Sequence, residues 1–315
     1  MSGSPPMISL PTISPQATIG ISFKNPGPMF RIAVQSVFAQ TVSDWELILM
    51  DDMSDDGSFE FASSIADPRV RTLRDGKTKS LSIRLNELSQ LASAPYYFRM
   101  DADDIMHPER LEKQLRELRS RPPNTIVGTR AYSIDKDSNV VGIKPNSTGH
   151  LIDFAARHYF VHPSVAASTE WFLKNPYANL HRSEDAELWC RTSRTSNFLN
   201  MSEPLLFYRE VGTFNFFKHI GTWAAVMEVL QRYREPRGKY LLTFTREVLK
   251  FWVTGMCEAT GNSDILTKRR SKPLSRGEAL LAAKAIAQVY ATELPLTGEG
   301  AKALEVPILS SSTLR

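Results

Sequence analysis

Tyr96-Tyr97-Phe98-Arg99-Met100-Asp101-Ala102-Asp103-Asp104 decides how the rest of this 315-residue chain is read. The aromatic run at its start reads as a buried strand, and Ile105-Met106-His107-Pro108 beyond the acids reads as a helix start with proline at its first position. Acid is therefore concentrated where a strand ends. In open α/β sheets ligands bind outside the carboxyl ends of the strands, so carboxylates placed there can hold a divalent cation and, through it, a phosphorylated ligand. The same residues also suit a plain turn, with Asp103 and Asp104 capping the helix. The stretch alone supports both readings.

Upstream, Ala17 to Phe23 is a β-branched run that reads as the first strand. Phe30 to Gln40 follows as a helix, with Phe30, Val34, Val37 and Phe38 at helical spacing. Trp45 to Met50 is a second strand, and it too ends in acid, at Asp51-Asp52-Met53-Ser54-Asp55-Asp56. Ser58 to Ile65 reads as a helix, Val70 to Leu73 as a strand and Ser80 to Leu91 as a helix. Such alternation predicts a mostly parallel, doubly wound α/β sheet. Gly76-Lys77-Thr78 imitates the end of a phosphate-binding loop, but Arg71 stands where the full pattern needs glycine. No G-x-G-x-x-G follows the first strand, which argues against a dinucleotide-dependent dehydrogenase.

Downstream, Pro108 to Arg119 is an amphipathic surface helix. Thr125 to Gly128, Ala131 to Ile134 and Asn139 to Ile143 read as short strands, and a helical stretch lies near Trp171. His162-Pro163-Ser164-Val165 precedes a third acidic group, Ser183-Glu184-Asp185-Ala186-Glu187, where Ser183 is a candidate cap and the acids suit a helix dipole. Ser196 to Met201 and Leu205 to Tyr208 are expected as two short strands around Pro204. Cys190 is expected in the core.

Composition bounds the class. Hydrophobic residues make up 42% and charged residues 23%, ordinary for a globular protein. A net charge of +4 suits an anionic ligand or membrane surface and is too weak to argue for nucleic acid. Cys190 and Cys257 are the only cysteines, so there is no disulfide framework or paired-cysteine zinc spacing. No apolar run is long enough to predict a transmembrane helix, and the proline-rich start lacks the layout of a signal peptide.

From Phe214 the pattern turns helical, with Trp223 to Tyr233, Lys239 to Cys257 and Ser275 to Tyr290 expected as helices. In the second, Lys239, Thr243, Arg246 and Lys250 form a polar stripe opposite Leu241, Phe244, Val248, Leu249, Trp252 and Met256. Two uses of that apolar side stay open: it covers the catalytic domain, or it lies on a membrane, with Lys268, Arg269, Arg270 and Lys272 meeting anionic headgroups. The expected division is a flexible leader over 1–16, a catalytic domain over 17–212 with halves 17–105 and 106–212, a helical region over 213–295 and a flexible tail over 296–315.

The three acidic clusters, in this order, resemble the family 2 glycosyltransferases of GT-A, nucleotide-sugar-binding fold, from about Ile19 to Gly212. Gln40 to Asp52 is similar to that family's first nucleotide-binding segment. Arg99 to Ile105 with Pro108-Glu109-Arg110 is similar to its metal-binding motif in bacterial capsule and lipopolysaccharide enzymes. His162 to Val165 and Ser183 to Trp189 resemble its acceptor-side and catalytic-base motifs, and Pro204 to Arg209 the strand after them. Departures are Phe23-Lys24 for the usual Pro-Thr, Met53 and Ser80 for common glycines, and Leu85 for a common arginine; Asn86 is kept.

The resemblance implies an inverting, metal-dependent transfer of one sugar from a nucleotide-sugar donor, a UDP-sugar first, to a glycan or lipid-linked acceptor. Single addition follows from the missing Gln-x-x-Arg-Trp motif. It places Mn²⁺ or Mg²⁺ on Asp103 and Asp101, the donor against Phe23, Asn25, Asp51, Asp52, Arg84, Asn86 and Asp101, the general base at Asp185 with Glu184 as substitute, and acceptor or diphosphate at His162. Asp104 is left to the helix start. The implied location is cytoplasmic, with peripheral attachment to the inner membrane face an option. A nucleotidyltransferase acting on a sugar phosphate and a non-catalytic nucleotide-sugar-binding protein are the alternatives.

Overall fold

The computed structural model describes residues 14–145, 159–180, 182–210, 271–298, 300 and 304, and scattered positions between 221 and 260. The strands are β1 (Ala17–Phe23), β2 (Trp45–Asp51), β3 (Val70–Arg74), β4 (Tyr96–Asp101), β5 (Ile105–Met106), β6 (Thr125–Ile134), β7 (Val140–Ile143), β8 (Ala166–Ser168) and β9 (Asn197–Arg209). The helices are α1 (Met29–Phe38), α2 (Ser58–Ser63), α3 (Leu81–Leu91), α4 (Arg110–Arg119), α5 (Thr169–Lys174), α6 (Glu184–Thr192) and α7 (Arg276–Tyr290).

One sheet runs in the order β3-β2-β1-β4-β8-β6-β9-β5, with β7 paired to β6. The β3-β2-β1-β4 portion is parallel, as the alternating pattern predicts. Beyond β4 the sheet is mixed: β8 is antiparallel to β4 and β6, while β6 and β9 are parallel. β2 is buried along its whole length, which is why its apolar residues do not alternate with polar ones. Ile19, Ile21, Phe98 and Met100 pack on Phe30, Val34 and Val37 of α1 to form the core beneath one face of the sheet.

Two expected strand pairs are each continuous. β6 runs unbroken from Thr125 to Ile134, and β9 carries Pro204 within it, at a register shift against β6 between Thr129 and Ala131. A bulge is where a strand tolerates the missing proline N–H. The helix after the central acids starts at Arg110, because Ile105 and Met106 first pair with Phe207 and Leu206 of β9. Pro108 is therefore not a helix start.

α7 begins with a reciprocal cap: Ser275 Oγ accepts from the Glu278 N–H at 3.3 Å, and the Ser275 N–H donates to Glu278 Oε2 at 2.8 Å. Its Ala282, Ile286 and Val289 pack with Ile32 of α1 and Ile143 of β7, so this helix joins the main core. The tail does not begin loose at Leu296. That residue bridges Ile65, and the N–H groups of Ala66 and Thr297 donate to Pro295 O at 2.7 Å and Ser64 O at 2.8 Å. Residues 1–13, 305–315, His181, the basic run 268–270 and much of the two expected helices between Trp223 and Cys257 lie outside the described residues. No described helix is long and apolar enough to cross a membrane.

At the amino end of β2, Glu46 accepts from Thr18 Oγ1 and the Ser93 N–H and pairs with Arg71 at 3.1 Å. Burial pushes its carboxyl up, but these bonds and the Arg71 charge outweigh that and hold it below the ordinary range. A depressed folded value means that the stabilisation is complete above the unfolded value and disappears as pH falls through the folded one. Glu46→Gln is expected to cost about 1–3 kcal/mol at neutral pH. In urea titrations across pH the gap to the parent should close on acidification below the carboxylate range.

Candidate functional site

The register of the parallel strands gathers the first two acidic clusters. Phe23 lies beside Asp51, and Ser22 lies between Met50 and Asp101, so β1, β2 and β4 end on one edge. At the end of β4 the chain does not pass straight into a helix. Asp101, Asp103 and Asp104 each offer a carboxylate oxygen, and these three atoms lie within 4.8 Å of one another.

Each acid is held differently. Arg99, buried within β4, makes a two-pronged pair with Asp101: Nη2 to Oδ1 at 2.7 Å and Nη1 to Oδ2 at 3.1 Å. Asp103 is exposed, yet the protein crowding its carboxylate and the charge of Asp101 push its carboxyl above the ordinary value. Asp104 is 1% exposed. Burial pushes it well up, Asp101 and Asp103 add to that, and the Arg209 N–H, donating to Oδ1 at 2.8 Å, opposes it. Asp104 Oδ2 is buried without a hydrogen-bond partner. Three hard oxygen donors gathered this closely, one of them with a buried unsatisfied oxygen, fit a divalent cation such as Mg²⁺ or Mn²⁺. Asp104 is thus part of this cluster and does not start a helix.

Arg209 backs the cluster. Its Nε donates to Asp103 O at 2.7 Å, Nη1 to Asp135 O at 2.6 Å and to Lys136 O at 3.2 Å, and Nη2 to Ser138 Oγ at 2.9 Å. One guanidinium thereby ties the acidic loop to the β6–β7 hairpin. Arg209→Met is expected to cost about 3–5 kcal/mol in chemical denaturation, because buried carbonyls and Asp104 lose their cation. Lysine should rescue little, having a point charge in place of the planar fork.

The third cluster approaches from α6. Glu184 and Asp185 occupy its first turn, and Asp185 is 7% exposed. Burial and the Asp185 charge push the Glu184 carboxyl up, Arg99 opposes this, and Asp101 adds to it. Arg99 lies in the field of Asp101, Glu184 and Asp104 together, and these acids keep it charged against the cost of burial. The second and third acidic clusters therefore share one buried cation. Ser183 sits at the N-cap position but at φ 60°, and its hydroxyl makes no capping bond, so the expected cap is not made.

His162 stands beside them. Its Nε2 lies 2.9 Å from Tyr177 Oη and its Nδ1 4.0 Å from Glu184 Oε1. Ser164 fixes the turn that carries it, accepting from the Thr129 N–H at 3.0 Å and donating to Thr129 O at 3.1 Å. Tyr177 is placed by Asn86, whose side chain accepts from the Tyr177 N–H at 2.8 Å and donates to Tyr177 O at 2.9 Å. Asn86 is thus a clamp on the segment entering α6, and its amide already spans that segment's backbone.

The expected donor-side residues separate similarly. The Phe23 ring is 2% exposed and stacks on Phe30 at 4.4 Å, so the ring itself packs in the core. Arg84 directs its five N–H groups at Asp52, Asp75, Glu87 and Lys77 O, leaving none for a ligand in this arrangement. Asn25 joins the two loops, donating to Asp55 Oδ1 at 2.7 Å. Asp51 is buried, accepting from the N–H groups of Met53 and Ser54 and from Arg74. Asp52 accepts from the Lys79 N–H at 2.8 Å and from Arg84 Nε at 2.9 Å. Met53, at φ 66°, adopts the left-handed conformation that glycine takes without strain.

Arg99, Asp104, Tyr177 and Arg209 were missed as site residues in the sequence. Arg99 carried a signal, being a charge inside an otherwise apolar strand, which requires a buried partner. Tyr177 carried none.

Residues 18–172 match the family described as Glycosyl transferase family 2. The chain is 34% identical over 107 residues to the Putative glycosyltransferase EpsE of Bacillus subtilis (strain 168), covering 33% of this chain and 38% of that protein. It is 31% identical over 193 residues to the O-antigen biosynthesis glycosyltransferase WbnJ of Escherichia coli, covering 56% of this chain and 73% of WbnJ. The chain belongs to glycosyl transferase family 2. The fold resembles that of S. aureus TarS 1–349, with a TM-score of 0.59 at 10% identity over 87% of this chain and 80% of that one. TarS has also been solved with UDP-GlcNAc.

Proposed function

We propose that this protein is an inverting, metal-dependent glycosyltransferase that moves one sugar from a UDP-sugar to a hydroxyl of a glycan or lipid-linked acceptor in surface polysaccharide synthesis. The observation that carries the reading is the convergence of Asp101, Asp103 and Asp104 with Glu184 and Asp185 around Arg99, at the carboxyl ends of the parallel strands. The O-antigen assignment in the name of WbnJ and the UDP-GlcNAc complex of TarS agree with it.

The half 17–105 takes the donor and the half 106–212 the acceptor. Asp51 and Asp52, fixed by Arg74 and Arg84, shape the wall against the nucleotide, and Asn25 closes its loop. Asp101, Asp103 and Asp104 would hold Mn²⁺ or Mg²⁺, which supplies positive charge to the departing diphosphate. Asp185 takes the proton from the acceptor hydroxyl as that oxygen bonds to the anomeric carbon. The carbon–oxygen bond to phosphate breaks on the opposite face, and UDP leaves with the electron pair. Glu184 is the substitute base, and its raised carboxyl pKa also suits it to keep a proton and orient the acceptor. His162, steadied by Tyr177, meets the acceptor or the diphosphate. The expected setting is the cytoplasmic side of the membrane.

Product analysis tests this directly. Incubation with a panel of UDP- and GDP-sugars and Mn²⁺ or Mg²⁺ should release the nucleoside diphosphate. Release of pyrophosphate from a nucleotide and a sugar phosphate would identify a nucleotidyltransferase. Binding without turnover across donors and acceptors would identify a carrier.

A further inference from the structure

The large apolar side chains left in solvent are concentrated at one end of the chain. Among the described residues, eleven such side chains are exposed, and seven of them are Leu241, Leu249, Trp252, Val253, Met256, Leu280 and Leu281. The first five are 46–67% exposed. Their positions are helical, and at 3.6 residues per turn they fall on an arc of roughly 120°. The described positions of the adjoining arc, Phe244, Val248, Phe251 and Gly255, are half-buried. This helix therefore uses one apolar arc against protein and leaves a second uncovered, so covering the catalytic domain accounts for only part of its apolar surface.

Charge identifies what covers the second arc. Residues 239–272 contain Lys239, Arg246, Lys250, Lys268, Arg269, Arg270 and Lys272 against three acids, Glu247, Glu258 and Asp264. The segment carries +4, the entire net charge of the chain. An apolar arc bearing tryptophan beside concentrated basic charge fits an anionic bilayer, where apolar side chains enter the acyl boundary and cations meet headgroup phosphates. A protein partner of this chemistry would need acid around an apolar groove.

The segment is tied to the rest of the fold. Lys272 pairs with Ile143 on β7 through two backbone bonds of 2.9 Å. β7 pairs with β6, and the hairpin between them is held by Arg209 to the loop of Asp103 and Asp104. We infer that the exposed arc formed by Leu241, Leu249, Trp252, Val253 and Met256 is a docking surface for an anionic lipid bilayer. It would place the acidic loop beside the headgroup layer, where a lipid-linked hydroxyl is presented. Membrane docking is read without substrate, so its failure and that of the sugar-transfer reading are separable.

The experiment is co-sedimentation of the full chain with vesicles of phosphatidylglycerol and phosphatidylethanolamine, against vesicles of phosphatidylcholine alone. Binding to the anionic vesicles is expected, weakened by salt, with a blue shift of Trp252 emission. Leu249→Ser/Trp252→Ser/Met256→Ser should bind at least about tenfold more weakly, with the thermal midpoint unchanged because these side chains touch solvent. Neutralising Lys268, Arg269, Arg270 and Lys272 to serine should remove the preference for anionic lipid. Failure of the parent to sediment with anionic vesicles overturns the proposal, as does undiminished binding by the triple variant. A dimer that the triple variant dissolves, without vesicle binding by the parent, also overturns it and assigns the arc to a second copy.

Discussion

Asp185→Asn is expected to lower the turnover number for sugar transfer by about 10²–10⁴, the usual worth of a positioned general base, while donor affinity stays within about twofold. The amide is isosteric and cannot take the acceptor proton, so the loss should fall on kcat and leave KM for the donor. Glu184→Gln distinguishes the two neighbours. If Asp185 is the base, Glu184→Gln loses much less, and its effect falls on acceptor KM through the contact with His162. Both variants should be followed by UDP release with and without acceptor. An Asp185→Asn enzyme that transfers at the parental rate would remove the assignment.

Asp103→Asn is expected to abolish ion-dependent donor binding, with a loss of turnover on the order of 10³ or more, comparable to the removal of a preorganised electrostatic group. It is exposed, so the substitution should leave the fold intact. Asp104→Asn is a different case: it removes a buried carboxylate that Arg209 and Arg110 both face, and thermal unfolding should register it as well. Because Asp103 and Asp104 are both raised, protons compete with the cation. Titration of Mn²⁺ affinity against pH should therefore show weakening that begins at a higher pH than an ordinary carboxylate would give. Parental ion affinity in Asp103→Asn, by calorimetry, would contradict the placement.

The parallel part of the sheet was legible because β1, β2 and β4 are short apolar runs, two of them closed by acid, and both features are local. The acidic clusters were legible for the same reason. The contacts that decide what each acid does were not. Asp104 looks like a turn residue beside Asp103, and only pairing of Ile105 with Phe207, about a hundred residues away, turns it inward. Arg84 and Asn86 lie where a nucleotide contact would be drawn from the sequence, yet their partners Asp52, Asp75 and Tyr177 are set by loop closure. The separate strands expected around Thr129 and Pro204 were misread because a bulge interrupts the pattern without ending the strand. The helical end was legible as amphipathic, but which side meets solvent depends on packing.

Because β9 is laid between β6 and β5, the order of synthesis matters. β1 to β4 can pair with one another as soon as residue 101 has emerged, and only the outer edge of β4 then waits for β8. β5 has no such partner until residues 206 and 207 arrive, and Asp104 has no backing until Arg209 does. A ribosome-bound chain can thus assemble its four parallel strands while the acidic loop stays unfinished. Closure of that loop falls to the last strand made, so a chain cut short before residue 209 should be unable to gather its three carboxylates.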